Sequence, residues 1–362
     1  MGRANFRWRY ALATFLCMGL SGRFTAVAAN GGYTLRTLPI SSSSSAVLDS
    51  INNNGQVCGT RYLPGTIPQA FLLTGSTLVD LTPPGISGSP WAYGLTSTGQ
   101  VLVSAAGQVS VYDNGQFTSK GDWGTPYSGG FAISDNGWIV GAKHSGATGR
   151  VPAAFLNGVV TPLSSTQGLF NAVNSSGQMA GFNESGLGEA WVRDAGGIFH
   201  MLGTMDADYS QALDINESGD VVFIARYATS QQNPRSFIYH LSDGTTTAIS
   251  NSITGRYFQA GAINAAGVIV GDLYDGNNQH VGIGLYADGV LNDITRQLDP
   301  AGTMAYYDAA DINDRGEILF KASHAGWGYY VATPVPEPGS AAMLVVGCAA
   351  LMGRRRGARK RT

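Results

Sequence analysis

Five histidines, His144, His200, His240, His280 and His324, are the first residues to test for chemistry. A metal site with its own general base would show a His-Glu-x-x-His spacing, which puts both ligands on one helix face. Neither that motif nor a His-x-His pair occurs, so the histidines read as loop or strand-end residues. No Gly-x-Ser-x-Gly elbow is present to expose a nucleophilic serine. "GIGLYA" (282–287) mimics a dinucleotide-binding glycine run, but it lies in a strand-like stretch with no helix after it. The carboxylates Asp206/Asp208, Asp272/Asp275 and Asp308/Asp311/Asp314 form local clusters. A glycosidase needs two carboxyls at a fixed separation across a cleft, which local clustering does not supply. The 308–314 cluster also lacks the regular oxygen ligands and glycine of a calcium loop. Connecting segments hold Tyr62, Trp91, Trp123, Tyr127, Tyr227, Tyr274, Tyr306 and Trp327, which either stack on sugar rings or cover the faces of sheets. No catalytic residue, metal ligand set or cofactor is read from these patterns. The chain is expected to be non-enzymatic, with a carbohydrate-active enzyme or lectin-like glycan binder as the alternative.

The elements that would position these groups are repeats. Seven segments align on a turn glycine: "SINNNGQVCG", "GLTSTGQVLV", "AISDNGWIVG", "AVNSSGQMAG", "DINESGDVVF", "AINAAGVIVG" and "DINDRGEILF". The glycines are Gly55, Gly99, Gly137, Gly177, Gly219, Gly267 and Gly316. An aliphatic residue stands four places before each and another two places after. Three places before stands Asn52, Thr96, Ser134, Asn174, Asn216, Asn264 or Asn313, short polar side chains that hydrogen-bond a turn. Each glycine supplies the positive φ that closes a hairpin. A second strand pair follows in each repeat, as in "QAFLLTGSTLVDL" and "AAFLNGVVTPL". Four short strands per unit is the blade of a β-propeller. The prediction is an all-β, seven-bladed β-propeller over residues 29–334. Its last repeat ends at "YYVAT" (329–333) with three strands, and "YTLRTL" (33–38) is left over as the missing fourth, so the two ends should pair and close the ring.

Composition agrees with a strand-rich body. Glycine numbers 50, and charged residues make up 13%, about half the usual share. The ends read differently. Residues 1–28 carry Arg3, Arg7 and Arg9, an apolar run from Ala11 to Leu20, and the small-x-small site Ala26-Val27-Ala28, the pattern of a cleaved signal peptide. Residues 335–362 carry Val335-Pro336-Glu337-Pro338-Gly339, an uncharged run from Ser340 to Gly353, and then Arg354, Arg355, Arg356, Arg359, Lys360 and Arg361. The run suits a short hydrophobic helix inserted transiently in the inner membrane, with the basic cluster kept cytoplasmic by the positive-inside rule. Between the two ends the body holds 12 cations against 23 acids, a surface that repels nucleic acid. Cys58 is the one cysteine there, so no intramolecular disulfide is predicted and a buried thiol is.

Two resemblances follow from these residues. The last 28 residues resemble a PEP-CTERM sorting signal. That resemblance implies recognition by an exosortase-type processing enzyme, removal of the tail, delivery to the cell surface or the extracellular space, and association with exopolysaccharide or biofilm matrix. The repeats resemble HAF repeats, whose hairpins read A-x-x-I-N-x-x-G-x-V-x-G. Thr96 replaces the asparagine in the second copy, and Val103, Phe223 and Phe320 replace the final glycine in the second, fifth and seventh. The HAF resemblance brings no catalytic residue with it. The expected role is structural or binding, with an extracellular polysaccharide as partner.

Overall fold

The structure, a computed structural model, describes residues 32–335 apart from 41–44, 87, 126–127, 147–148, 187, 228–232, 251–252 and 324–326. The predicted signal segment and the tail from Pro336 onward, including the predicted C-terminal helix, lie outside the described residues. Twenty-eight strands form seven four-stranded antiparallel sheets arranged as a seven-bladed propeller. Blades 1 to 6 each use four consecutive strands, beginning with β2 (Ser45–Ile51), β6 (Trp91–Leu95), β10 (Gly129–Ile133), β14 (Gly168–Val173), β18 (Tyr209–Ile215) and β22 (Arg256–Ile263). Blade 7 is β26 (Ala305–Ile312), β27 (Ile318–Ser323), β28 (Trp327–Pro334) and, last, β1 (Tyr33–Thr37). β1 pairs antiparallel with β28 in the register Tyr33↔Pro334 to Thr37↔Tyr330, so the N-terminal strand closes the ring. One short helix, α1 (Thr295–Leu298), follows blade 6. No described helix is long and apolar enough to cross a membrane.

The core is divided in the same way. Seven hydrophobic clusters are each shared by two neighbouring blades; Cys58, Ala70 and Leu72 of blade 1, for example, meet Ala92, Val101 and Val103 of blade 2. Successive residues of a strand feed opposite clusters: Val57 packs toward blade 7 and Cys58 toward blade 2. Both faces of each blade are therefore buried, and second strands such as "VLVSA" (101–105) are continuously buried rather than alternating.

The repeat positions have direct structural roles. The seven turn glycines have φ between 71° and 92°, a region other residues enter at a cost. Each donates its N–H to the carbonyl three residues earlier, as Gly55 does to Asn52 at 3.0 Å. The glycine that closes the repeat is needed for a different reason. A Cβ at Gly59, Gly141, Gly181 or Gly271 would stand 2.0–2.4 Å from a carbonyl oxygen of the adjacent innermost strand. Where Phe223 and Phe320 replace it, the residue paired with them is an alanine, Ala212 or Ala309. In blades 1 and 4 the bulk is on the other side, with Leu48 and Phe170 opposite Gly59 and Gly181. The departures from the repeat are exchanges of volume across one strand pair.

Candidate functional site

The turn asparagines and several of the carboxylates singled out in the sequence latch one blade to the next. The turn asparagine does two jobs. Its Oδ1 accepts from its own turn, as Asn264 does from the N–H of Ala266 (3.1 Å) and Val268 (3.0 Å). Its Nδ2 donates to the carbonyl of the equivalent residue in the next blade. Asn52 donates to Thr96, Asn174 to Asn216, Asn216 to Asn264, Asn264 to Asn313, and Asn313 to Asn52, at 2.9–3.3 Å. This relay runs around the axis and crosses the seam where the ring closes. Thr96 and Ser134 keep the turn bond through their hydroxyls, to the N–H of Gln100 (3.0 Å) and Trp138 (3.2 Å). They lack the amide Nδ2 that makes the onward bond in the other blades, and the Thr96 hydroxyl lies 3.0 Å from that of Thr98 in its own turn.

The carboxylates belong to the same system. Asp311 accepts from Ser50 Oγ (2.9 Å) and the Ile51 N–H (2.8 Å) of blade 1, and Asp214 from the Ile263 N–H of blade 6 (2.9 Å). Asp272 accepts from the Ala309 N–H of blade 7 (2.8 Å). Asp314 accepts from the Ala265 N–H and Asn53 Nδ2, both at 2.9 Å. Burial pushes Asp272 up to about 8, and Asp214 up to about 7 against the N–H that stabilises its anion. Asp308 is paired with Lys321 at 2.9 Å. Asp308 and Asp311 lie within strand β26, so no calcium-type loop joins them to Asp314. His200 and His240 pair locally with Asp194 (3.0 Å) and Asp220 (2.7 Å). His280 Nδ1 lies 2.9 Å from the Tyr307 carbonyl, and burial lowers its pKa. His324 and Tyr127 lie outside the described residues. Burial raises the Cys58 thiol well above its usual range.

The central channel has two tiers. On the face of the Asn-x-x-Gly turns it opens as a well of about 220 Å³, floored by the seven aliphatics four places before the glycines, Ile51 to Ile312. Two residues further in, every innermost strand carries a register irregularity: Asp49, Tyr93, Phe131, Asn171, Leu213, Gly261 and Ala310 stand at it. A bulge leaves its extra residue unpaired and re-aims the side chain. All seven are half-buried although their strands are innermost, the part of each blade nearest the axis. The residue at this position ranges from a carboxylate to an aromatic ring to glycine around the ring.

The opposite face carries the aromatic residues. β23 (Ile269–Asp275) ends there with Tyr274, and β24 (His280–Ala287) begins there with His280. Tyr257, Tyr274, His280, Tyr306 and Trp327 form one ladder across blades 6 and 7, with successive centroids 5.0, 4.2, 4.5 and 5.1 Å apart. Its outer end is open: Tyr306 and Trp327 are each 37% exposed. Lys321 Nζ lies 5.4 Å from the centre of Trp327. A second arc, Tyr62–Trp91–Tyr93–Phe131, runs over blades 1 to 3 with spacings of 5.9, 6.3 and 5.4 Å. The sequence had singled out Tyr62, Trp91, Tyr274, Tyr306 and Trp327, and the structure sorts them into these two groups. Tyr257, His280, Tyr93 and Phe131 were missed as members of these groups. Trp123 is fully buried between blades 2 and 3, a core residue rather than a surface platform.

The sequence matches no described protein family and no curated protein. The fold does have relatives among solved structures. An oligogalacturonate lyase in complex with manganese superposes with a TM-score of 0.57 at 12% identity, over 85% of this chain and 95% of that one. A second oligogalacturonate lyase, from Vibrio parahaemolyticus, gives 0.54 at 10% identity, over 84% and 98%. A fungal alcohol oxidase in complex with copper gives 0.52 at 12% identity, over 84% and 77%. At these identities the likeness is one of fold alone.

Proposed function

We propose that this is an exported binding protein that holds extracellular polysaccharide on its aromatic face and performs no chemistry on it. One observation carries the reading: five aromatic rings from two adjacent blades meet in one ladder, by stacked, tilted and edge-to-face contacts, whose outer members, Tyr306 and Trp327, remain exposed. Rings held by their neighbours lose little freedom on binding, and they cover the apolar C–H faces of sugars while nearby polar groups meet the hydroxyls. Asp214, Asp272, Asp311 and Asp314 serve as latches between blades, which supports a structural use of these carboxylates. The excess of acids on the body disfavours a polyanion, so the polysaccharide is neutral or bears amines. Export, processing at Val335–Gly339 by an exosortase-type enzyme and a surface or matrix location belong to the same reading. They are supported by the order of the Pro-Glu-Pro, apolar and basic segments in the tail.

One preparation tests these points together. Protein recovered from outside the cell should begin near Ala29 and lack Arg354–Arg361 by mass spectrometry. On a glycan array it should bind neutral glycans, with at least tenfold weaker signals after Trp327→Ala or Tyr306→Ala. An intact tail would overturn the sorting assignment. Signals unchanged by both substitutions, or release of shortened saccharides, would overturn the binding assignment.

A further inference from the structure

The residue at the bulge of the innermost strand differs from blade to blade in charge, polarity and size, and such a position is where a ligand would be read. Polarity and volume are distributed unevenly there. Blades 6 and 7 present Gly261 and Ala310, which leave room, and blade 1 presents a carboxylate, Asp49. Blades 2 and 3 present Tyr93 and Phe131, whose rings meet edge to face at 5.4 Å. The space beside Gly261 is open: an added Cβ would meet its nearest neighbour, the Val270 carbonyl, at an ordinary 3.5 Å. The Asn171 side chain is already committed to the Ala212 carbonyl at 2.7 Å, so it does not compete for the space. Asp49 has no hydrogen-bond partner among the described residues. Its surroundings are charged but not cationic: Asp311 from blade 7 raises it, and Tyr93 and Cys58 are within its electrostatic reach.

We propose that this tier is a recognition site for an aliphatic ammonium group, with Asp49 as counter-ion and Tyr93 and Phe131 as the aromatic wall. A carboxylate within electrostatic reach of an aromatic pair suits an organic cation, because ring quadrupoles and the anion attract it together. Two sources share this chemistry, an amine-bearing sugar and a polyamine. The inference deepens the binding reading above by naming a ligand chemistry. It is separable from that reading because the channel tier and the Tyr306–Trp327 end of the ladder share no residue.

The site has a pH signature. Burial, and then Asp311, pushes Asp49 up to about 8, so the empty site holds a proton at neutral pH. The other titratable groups facing it are Asp311, held up by burial, Asp214 beyond it, Tyr62, Tyr93 and Cys58, with Arg150 near Tyr93. An ammonium ion binds the ionised carboxylate and must expel the proton, so affinity rises with pH by up to about tenfold per unit below pH 8.

Calorimetric titration of the folded protein with putrescine, glucosamine and N-acetylglucosamine tests the site. At least one of the two amines should bind, the neutral acetylated sugar should bind at least tenfold more weakly than glucosamine, and the amine that binds identifies the source. Asp49→Asn should weaken binding at least tenfold and abolish the pH dependence measured with putrescine, whose charge is constant over this range. Gly261→Phe, which fills the tier from an open position, should weaken it similarly while leaving glycan-array signals intact. Absence of binding by both amines at millimolar concentration, or equal binding by wild type and Asp49→Asn of matched melting temperature, would overturn the proposal. Loss of array binding with amine binding retained would sink the polysaccharide reading and leave this site standing.

Discussion

Four aspartates inside the ring, Asp49, Asp214, Asp272 and Asp311, retain protons well above the ordinary carboxylate range because burial disfavours their anions. The sign of the effect on stability is set by comparison with the unfolded chain, where these groups titrate near about 4. Between that value and about 8 the folded protein binds more protons than the unfolded one, so raising the pH favours unfolding. His280, lowered by burial, acts in the opposite sense below its ordinary value of about 6.5, one group against four. The melting temperature is therefore expected to fall from pH 5 to pH 8, and less so in Asp49→Asn. A flat or rising profile would refute the buried-carboxylate account. None of this was legible in the sequence. Asp214 and Asp311 occupy a position otherwise filled by Ser, Gly and Ala, and Asp49 belongs to no motif. Their environment is made by other blades, 49 residues away for Asp214 and Ile263.

At the scale of the hairpin the sequence was far more informative. An aliphatic residue, Asn, Gly and a second aliphatic residue at fixed offsets describe a turn whose hydrogen bonds close within five residues, so local chemistry suffices to read it. What local reading could not give is the second use of the asparagine, since the carbonyl it reaches lies 42 to 49 residues on, or 261 residues away at the seam. The two uses can be separated. Asn264→Ser keeps a hydroxyl acceptor for the turn, as Ser134 does naturally, and removes only the donor to Asn313. Loss of that buried bond should cost about 1–2 kcal/mol, and Asn264→Ala, which also abandons the turn, should cost more. Denaturant unfolding measures both. A serine variant as stable as the wild type would show that the relay contributes nothing.

Across the whole molecule, counting strands was enough to predict closure: a last repeat with three strands and a leading orphan strand leave one economical solution, and β1 does pair with β28. The aromatic face was legible only in part. Exposed rings can be suspected from loop positions, but which of them meet depends on how neighbouring blades are stacked: Tyr274 and Trp327 belong to one ladder, and Trp123, equally prominent in sequence, is buried. The two sites proposed above lie where the near-equivalence of the blades breaks, at the ladder of blades 6 and 7 and at the bulge tier.

The most direct test of this account is the mobility of the purified body, residues 29–335, in native gels containing a soluble neutral β-glucan. The wild-type protein should be retarded relative to a glucan-free gel, and the double variant Tyr306→Ala/Trp327→Ala should migrate equally in both. Retardation of the two proteins to the same extent, or of neither, would contradict the claim that the exposed end of the ladder is where polysaccharide is held.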